Sequence, residues 1–133
     1  MSARTRDLPR RSCLSVPGSS EKMLGKGPTL PADMVFLGKV VDAIKDQDWG
    51  EKILCVRVNA WDTQWTYGDV IEVVGNAGER LEEIMLPKVQ TAGQVEAMDL
   101  LLTQVEKTAG LPIGHIGIEA QIETAQGLIN VNE

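Results

Sequence analysis

The sequence predicts a parallel α/β fold built from alternating strands and helices, and three observations carry that prediction. Short apolar runs of strand length recur along the chain, each followed by a stretch with helical periodicity. From the third run onward the spacing is about thirty residues, the size of one strand–helix unit with its loops. Polar residues able to do chemistry stand at the ends of three of these runs, where a parallel sheet assembles its sites. Alternation alone leaves a doubly wound sheet and a closed barrel equally open.

Taken in order, Cys13 to Val16 is the first run, closed by the turn dipeptide Pro17-Gly18. Ser19 or Ser20 then caps a short helix through Leu24, which the Gly25-Lys26-Gly27-Pro28 cluster ends. Met34 to Leu37 is the second run, with a helical stretch from Lys39 to Lys45 behind it. Ile53 to Val58 is the clearest strand, because it is apolar and largely β-branched. A helix from Asp69 to Glu82 follows, with Val70, Val73, Val74, Ala77 and Leu81 on one stripe. Glu83 to Leu86 is the fourth strand, ended by Pro87. Thr91 with Gln94 reads as a capping box for the next helix, in which Val95, Met98, Leu102 and Val105 keep helical spacing. Gly110 and Pro112 stop that helix, and Ile116 to Ile122 is the fifth strand.

Composition narrows the function classes. A chain of 133 residues with 43% hydrophobic and 24% charged residues fits one domain with a core of its own. The net charge of −6 argues against a nucleic-acid binder, which needs an electropositive footprint. No apolar run approaches the roughly 20 residues that cross a bilayer. Arg4, Arg6, Arg10 and Arg11 make the N-terminus basic, but no apolar stretch follows, so a secretory signal is not expected and a cytoplasmic location is. Cys13 and Cys55 lie in separate strand-like runs and read as two buried thiols in a reducing compartment. The one histidine, His115, precedes the fifth strand and is expected at the surface. A Ser-His or His-rich metal site is therefore poorly supplied. Neither a G-x-G-x-x-G fingerprint nor a phosphate-binding P-loop is present. Trp49, Trp61 and Trp65 read as cover for the helix layer.

Carboxylates, arginine and lysine must then carry any chemistry. Arg57 stands near the end of the third strand, Lys88 after the fourth and Glu123 after the fifth. A guanidinium offers a bidentate fork to a carboxylate. A glutamate offers hard oxygen to Mg²⁺, which polarises carbonyls as a Lewis acid. Spacing alone serves blander roles as well. Arg57 is as readily paired to a neighbouring carboxylate, Glu123 is more commonly the partner of a helix N-terminus, and Lys88 reads as a solvated loop residue. Glu119, inside the fifth strand, is costly to bury unpaired and is expected to face the interior should the sheet close into a barrel.

Four blocks in order make the sequence recognisable: Ser12-Cys13-Leu14-Ser15-Val16-Pro17-Gly18-Ser19-Ser20, Val56-Arg57-Val58-Asn59, Ile84-Met85-Leu86-Pro87-Lys88 and Ile122-Glu123-Thr124-Ala125. Together they resemble the citrate lyase β-subunit and malyl-CoA lyase family over nearly the whole chain. Trp49-Gly50 and Ala77-Gly78-Glu79-Arg80-Leu81 resemble the malyl-CoA lyase branch in particular. The resemblance implies a (β/α)₈ barrel that binds Mg²⁺ and breaks or forms a carbon–carbon bond beside a CoA thioester. It makes Arg57 the catalytic and substrate-binding arginine for the oxo-acid and Glu123 a Mg²⁺ ligand. Lys22, with the Pro17-Gly18 turn, is placed near the path of the acyl-CoA substrate.

Two departures stand beside these matches. Val35-Phe36-Leu37 passes straight to Gly38-Lys39-Val40-Val41, where the family runs into an acidic Asp-Leu-Glu-Asp motif and a long loop. The sequence also stops before the strand that brings the family's second Mg²⁺ ligand, an Asp. The expectation is therefore one incomplete barrel domain over residues 1–133, roughly the first five βα units and carrying an internal deletion. It is expected to be inactive alone and to associate, as a homo-oligomer, over its uncovered strand edges. Two other readings of the same chain are a thioesterase on the same ester and a non-catalytic remnant that keeps only an association surface. A citrate-lyase-type enzyme working on an acyl-carrier protein is a further one.

Overall fold

The computed structural model describes residues 12–16, 20–32, 34–37 and 41–133. Five strands pair in parallel: β1 (Cys13–Val16), β2 (Met34–Leu37), β3 (Ile53–Arg57), β4 (Glu83–Leu86) and β5 (Gly117–Ala120). Their order in the sheet is their order in the chain, β1-β2-β3-β4-β5. That monotonic order decides between the two topologies left open by alternation. A doubly wound sheet reverses direction at a switch point, whereas a barrel adds each strand on the same side of the last.

The register gives the sheet two distinct faces. Leu54, Val56, Ile84 and Leu86 are buried in one apolar cluster together with Val70, Val73, Val74, Met98 and Leu102. Those five come from α3 (Thr66–Ala77) and α4 (Ala92–Ala109), so this face is the one the helices cover. Ile53, Cys55 and Met85 form a separate small cluster on the opposite, inward face. Period-two alternation puts Arg57 and Glu83 on that inward face as well.

The expected elements are present with shifted ends. α1 (Glu21–Lys26) is capped by Ser20, whose side chain accepts from the Met23 N–H, and passes into a 3₁₀ turn at Gly27–Thr29. α2 covers Val41–Asp46; the Lys39 end of the expected helix and the Pro17-Gly18 turn lie outside the described residues. α3 starts at Thr66, three residues before the expected Asp69. The Thr66 hydroxyl donates to the Ala60 carbonyl at 2.6 Å, and Asp69 is engaged with the preceding loop. It ends at Ala77 instead of Glu82 because Arg80 and Glu82 serve the sheet. Glu82 accepts from the Leu54 N–H at 2.8 Å, and Arg80 reaches the Gly50 and Lys52 carbonyls.

At the start of α4 the Thr91 side chain makes no capping bond. Gln94 instead reaches back to the Gln90 N–H at 2.7 Å, one residue earlier than a capping box requires. Gly110 ends the helix in the left-handed conformation, φ 72°, as expected of that residue.

Two buried side chains tie the layers together. Trp49 is 2% exposed, donates its indole N–H to the Ala43 carbonyl at 2.9 Å and packs its ring close to Gly27. A Cβ on Gly27 would come within 2.7 Å of that ring, so only glycine fits. Glu106, 1% exposed on α4, accepts from the Gly114 and Ile116 N–H groups at 2.7 and 2.8 Å and sets where β5 begins. Among the described residues, β1 and β5 each have a neighbour on one side only. No helix among them is long and apolar enough to cross a membrane.

Candidate active site at the C-terminal end of the sheet

Arg57 and Glu123 meet at the C-terminal end of the strands. An Arg57 Nη2 donates to Glu123 Oε1 at 3.2 Å across two strands, with the guanidinium half exposed and the carboxylate one-third exposed. The main-chain N–H of Lys88 donates to the same oxygen at 3.0 Å. Oε1 is thus held from two sides, and Oε2 takes no hydrogen bond among the described residues. Lys88 adopts φ 54°, the one positive φ outside glycine among the described residues. Its ammonium lies 3.7 Å from Asp62 Oδ2, but both side chains are more than half exposed. Such a pair contributes at most about 1 kcal/mol.

The loops that carry these groups are fixed locally. Asp69 at the start of α3 accepts from both the N–H and the side-chain amide of Asn59, at 3.0 and 2.6 Å. That ties down the segment directly after Arg57. The Trp61 indole donates to the Gln94 carbonyl at 3.0 Å. Beyond Glu123, Thr124 caps α5 (Ala125–Ile129) by accepting from the Gly127 N–H. Gly127 itself lies against the Val89 carbonyl, where any Cβ would collide. The loop after β4 and the loop after β5 are therefore packed directly on each other.

A second group of donors sits lower on the inward face. Cys55 Sγ and carboxylate oxygens of Glu83 and Glu119 all lie within 4.8 Å of one another. Cys55 precedes Arg57 by two residues on β3, about 7 Å along the strand. Glu119 faces the interior here, as expected of it. Cys55 is buried but Cys13 is exposed, so the expectation of two buried thiols holds for one of them. Partial burial, then the charges of Glu119 and Glu83, push the Cys13 thiol up to about 11. The neutral form is the one favoured, so at pH 8 about one Cys13 in a thousand is the reactive thiolate. Alkylation of Cys13 by iodoacetamide is accordingly expected to be slow at pH 8 and to rise steadily towards pH 11. Glu119→Gln is expected to speed it at pH 8, and unchanged labelling in that variant would remove the carboxylate as a cause.

Of the residues singled out in the sequence, Arg57 and Glu123 are brought into contact. Lys22 is exposed in the first turn of α1 and touches neither of them. Lys88 is a loop residue with an exposed ammonium, as expected, but its backbone is part of the site. His115 is half-buried rather than superficial, its Nε2 3.0 Å from the Gly78 carbonyl. The three tryptophans do not form one patch: Trp49 is core, Trp61 half-buried and Trp65 more than half exposed.

Residues 11–133 match the family model described as HpcH/HpaI aldolase/citrate lyase. This chain belongs to that family. An L-malyl-CoA/β-methylmalyl-CoA lyase of Cereibacter sphaeroides is 36% identical over 140 aligned residues, covering 94% of this chain and 44% of that enzyme. The citrate lyase β-subunit of Leuconostoc mesenteroides is 31% identical, covering 93% of this chain and 45% of the relative. The chain thus spans less than half the length of the curated relatives it matches. An alignment of 140 positions against a chain of 133 also means that the Cereibacter enzyme carries residues with no counterpart here.

Among solved structures, a Haloferax volcanii malate synthase in complex with lead(II) superposes with a TM-score of 0.79 at 18% identity, covering 92% of this chain and 43% of that one. A citrate lyase of Burkholderia xenovorans gives 0.70 at 17% identity. These likenesses establish the fold. The five βα units are part of a (β/α)₈ barrel, with Arg57, Lys88 and Glu123 at the end where such barrels carry their sites.

Proposed function

We propose that residues 1–133 form one incomplete barrel domain that supplies the Arg57–Glu123 portion of a Mg²⁺-dependent carbon–carbon lyase site for acyl-CoA esters. The ester is of the malyl-CoA type, and the groups that complete the site come from further polypeptide. The observation that carries this reading is the shared hold on Glu123 Oε1 by Arg57 and the Lys88 N–H, which leaves Oε2 open. A single presented carboxylate suits Mg²⁺, which keeps several waters and takes one or two carboxylates with the substrate's oxygens. The lower trio of Cys55, Glu83 and Glu119 fits Mg²⁺ poorly, because a thiol is a soft ligand. A cation on Glu123 would act as a Lewis acid towards a carbonyl.

Arg57 uses one N–H on Glu123 and keeps four for a substrate carboxylate, so it can orient the oxo-acid portion of the ester. In cleavage the hydroxyl proton passes to solvent, the carbon–carbon bond breaks, and its electron pair passes to the carbon α to the thioester, delocalised onto the thioester oxygen. Glyoxylate departs with its new carbonyl, and a proton from solvent returns to that α-carbon to give the acyl-CoA. Lys22, exposed on α1, is assigned to the CoA path. Two free cysteines accord with a reducing cytoplasm. The one-sided strands β1 and β5 support association, with copies of itself or with the completing segment.

The test is malyl-CoA cleavage with Mg²⁺, trapping glyoxylate as its phenylhydrazone, for residues 1–133 alone and mixed with the remaining segment of the Cereibacter enzyme. The expected result is no turnover alone and Mg²⁺-dependent glyoxylate release from the mixture, lost in Glu123→Gln. Malate and free CoA without glyoxylate would establish a thioesterase instead. Turnover by residues 1–133 alone would overturn the partial-site reading.

A further inference from the structure

We propose that Lys88 is the positioning residue for Glu123 and that it acts through its main-chain N–H, not its ammonium. The inference rests on the reading of Glu123 as a cation ligand and adds the part that aims it. A left-handed φ of 54° is unfavourable for a residue with a Cβ and persists only where the surroundings impose it.

The surroundings here do so from both sides. Pro87 has its own φ fixed and holds Leu86 extended, so the chain enters the turn from one direction. After the turn, Val89 donates its N–H to Gln121 at 3.1 Å, and Gly127 packs on its carbonyl. Between these anchors the N–H of Lys88 meets Glu123 Oε1 at 3.0 Å. Arg57, at the end of β3, donates to the same oxygen, so the carboxylate cannot rotate without breaking one bond or the other. Oε2 is thereby the oxygen left without a hydrogen bond among the described residues. The ammonium contributes little to this, being more than half exposed and 3.7 Å from an exposed Asp62.

Three substitutions in the full chain separate backbone from side chain. Lys88→Gly keeps the N–H and relieves the turn, and Lys88→Ala keeps the N–H and deletes the ammonium. Lys88→Val places a β-branched residue where φ is positive and drives the N–H away. Mn²⁺ affinity, read by electron paramagnetic resonance, is expected to stay within about twofold for the first two. It should weaken about tenfold for the third, the loss of one bond to a charged acceptor. Equal losses in all three would assign the effect to the ammonium and overturn the proposal.

A metal-independent reading accompanies them. The amide proton of residue 88 is expected to move upfield when Glu123→Gln removes the charged acceptor, and to be indifferent to it in the Lys88→Val background. If Mn²⁺ does not bind the wild type, or binds Glu123→Gln equally well, the ligand role of Glu123 falls. The amide shift still decides whether Lys88 holds Glu123, and no response to Glu123→Gln overturns that on its own.

Discussion

Glu106→Leu is expected to lower folding stability by about 3–5 kcal/mol, the largest single loss that the buried side chains predict. The carboxylate is 1% exposed and accepts two short main-chain bonds, from Gly114 and Ile116. Leucine fills the same volume but strands the buried Ile116 N–H and takes the carboxylate from Gly114. Each bond to a charged acceptor is worth about 1.5–3 kcal/mol. Glu106→Gln keeps one acceptor oxygen and turns a donor towards the other N–H, so its loss should fall between wild type and leucine. Urea unfolding followed by circular dichroism measures both. A leucine variant as stable as wild type would mean that water reaches the Ile116 amide and that the carboxylate does not set the start of β5. Because β5 leads directly to Glu123, the same substitution should also disturb the site.

Strand order and the identity of the site residues were differently accessible from sequence. Ile53 to Arg57 and Glu83 to Leu86 announce themselves because both faces of a parallel strand are buried, so the runs are continuously apolar or nearly so. Alternation gives the parallel sheet but not its strand order; only the monotonic pairing of β1 through β5 marks it as the order of a barrel. Helical periodicity overruns the end of α3 because Leu81 keeps helical spacing with Ala77 although it lies beyond the turn at residues 78–80. It is fully buried there, and Arg80 and Glu82 lie outside the helix and bond the start of β3 and the segment before it.

Arg57 and Glu123 are 66 positions apart, and nothing in spacing says that they touch. Their types at strand ends made them candidates, and the pairing came only with the fold. Lys88 shows the opposite failure. Its charged side chain drew attention, whereas the functional atom is its backbone nitrogen, for which a proline just before it is the sole sequence signal. Glu106 was silent because a glutamate in the last turns of a helix reads as solvated. Only the burial of that turn under the loop to β5 makes it structural.

The pairing of Arg57 with Glu123 leads to the largest functional effects expected of this chain, and the two residues should fail in different ways. In the assembled site, Arg57→Lys is expected to lower kcat/KM for malyl-CoA by about a hundredfold or more, since a lysine cannot reproduce the fork on the substrate carboxylate. Mn²⁺ affinity should change by no more than about twofold, because Lys88 still holds Oε1 and the local charge is kept. Glu123→Gln removes the anionic ligand and should abolish saturable Mn²⁺ binding, while glyoxylate still shifts the Arg57 side-chain resonances. The double variant should lose less than the product of the single losses, as contacting residues are coupled by about 0.5–3 kcal/mol. That separation discriminates a site from an ornamental ion pair. If both variants lost stability alike and left metal and oxo-acid binding unchanged, the 3.2 Å contact would be a structural bond between β3 and the loop after β5. The chemistry would then have to be sought among other groups at the same end of the barrel.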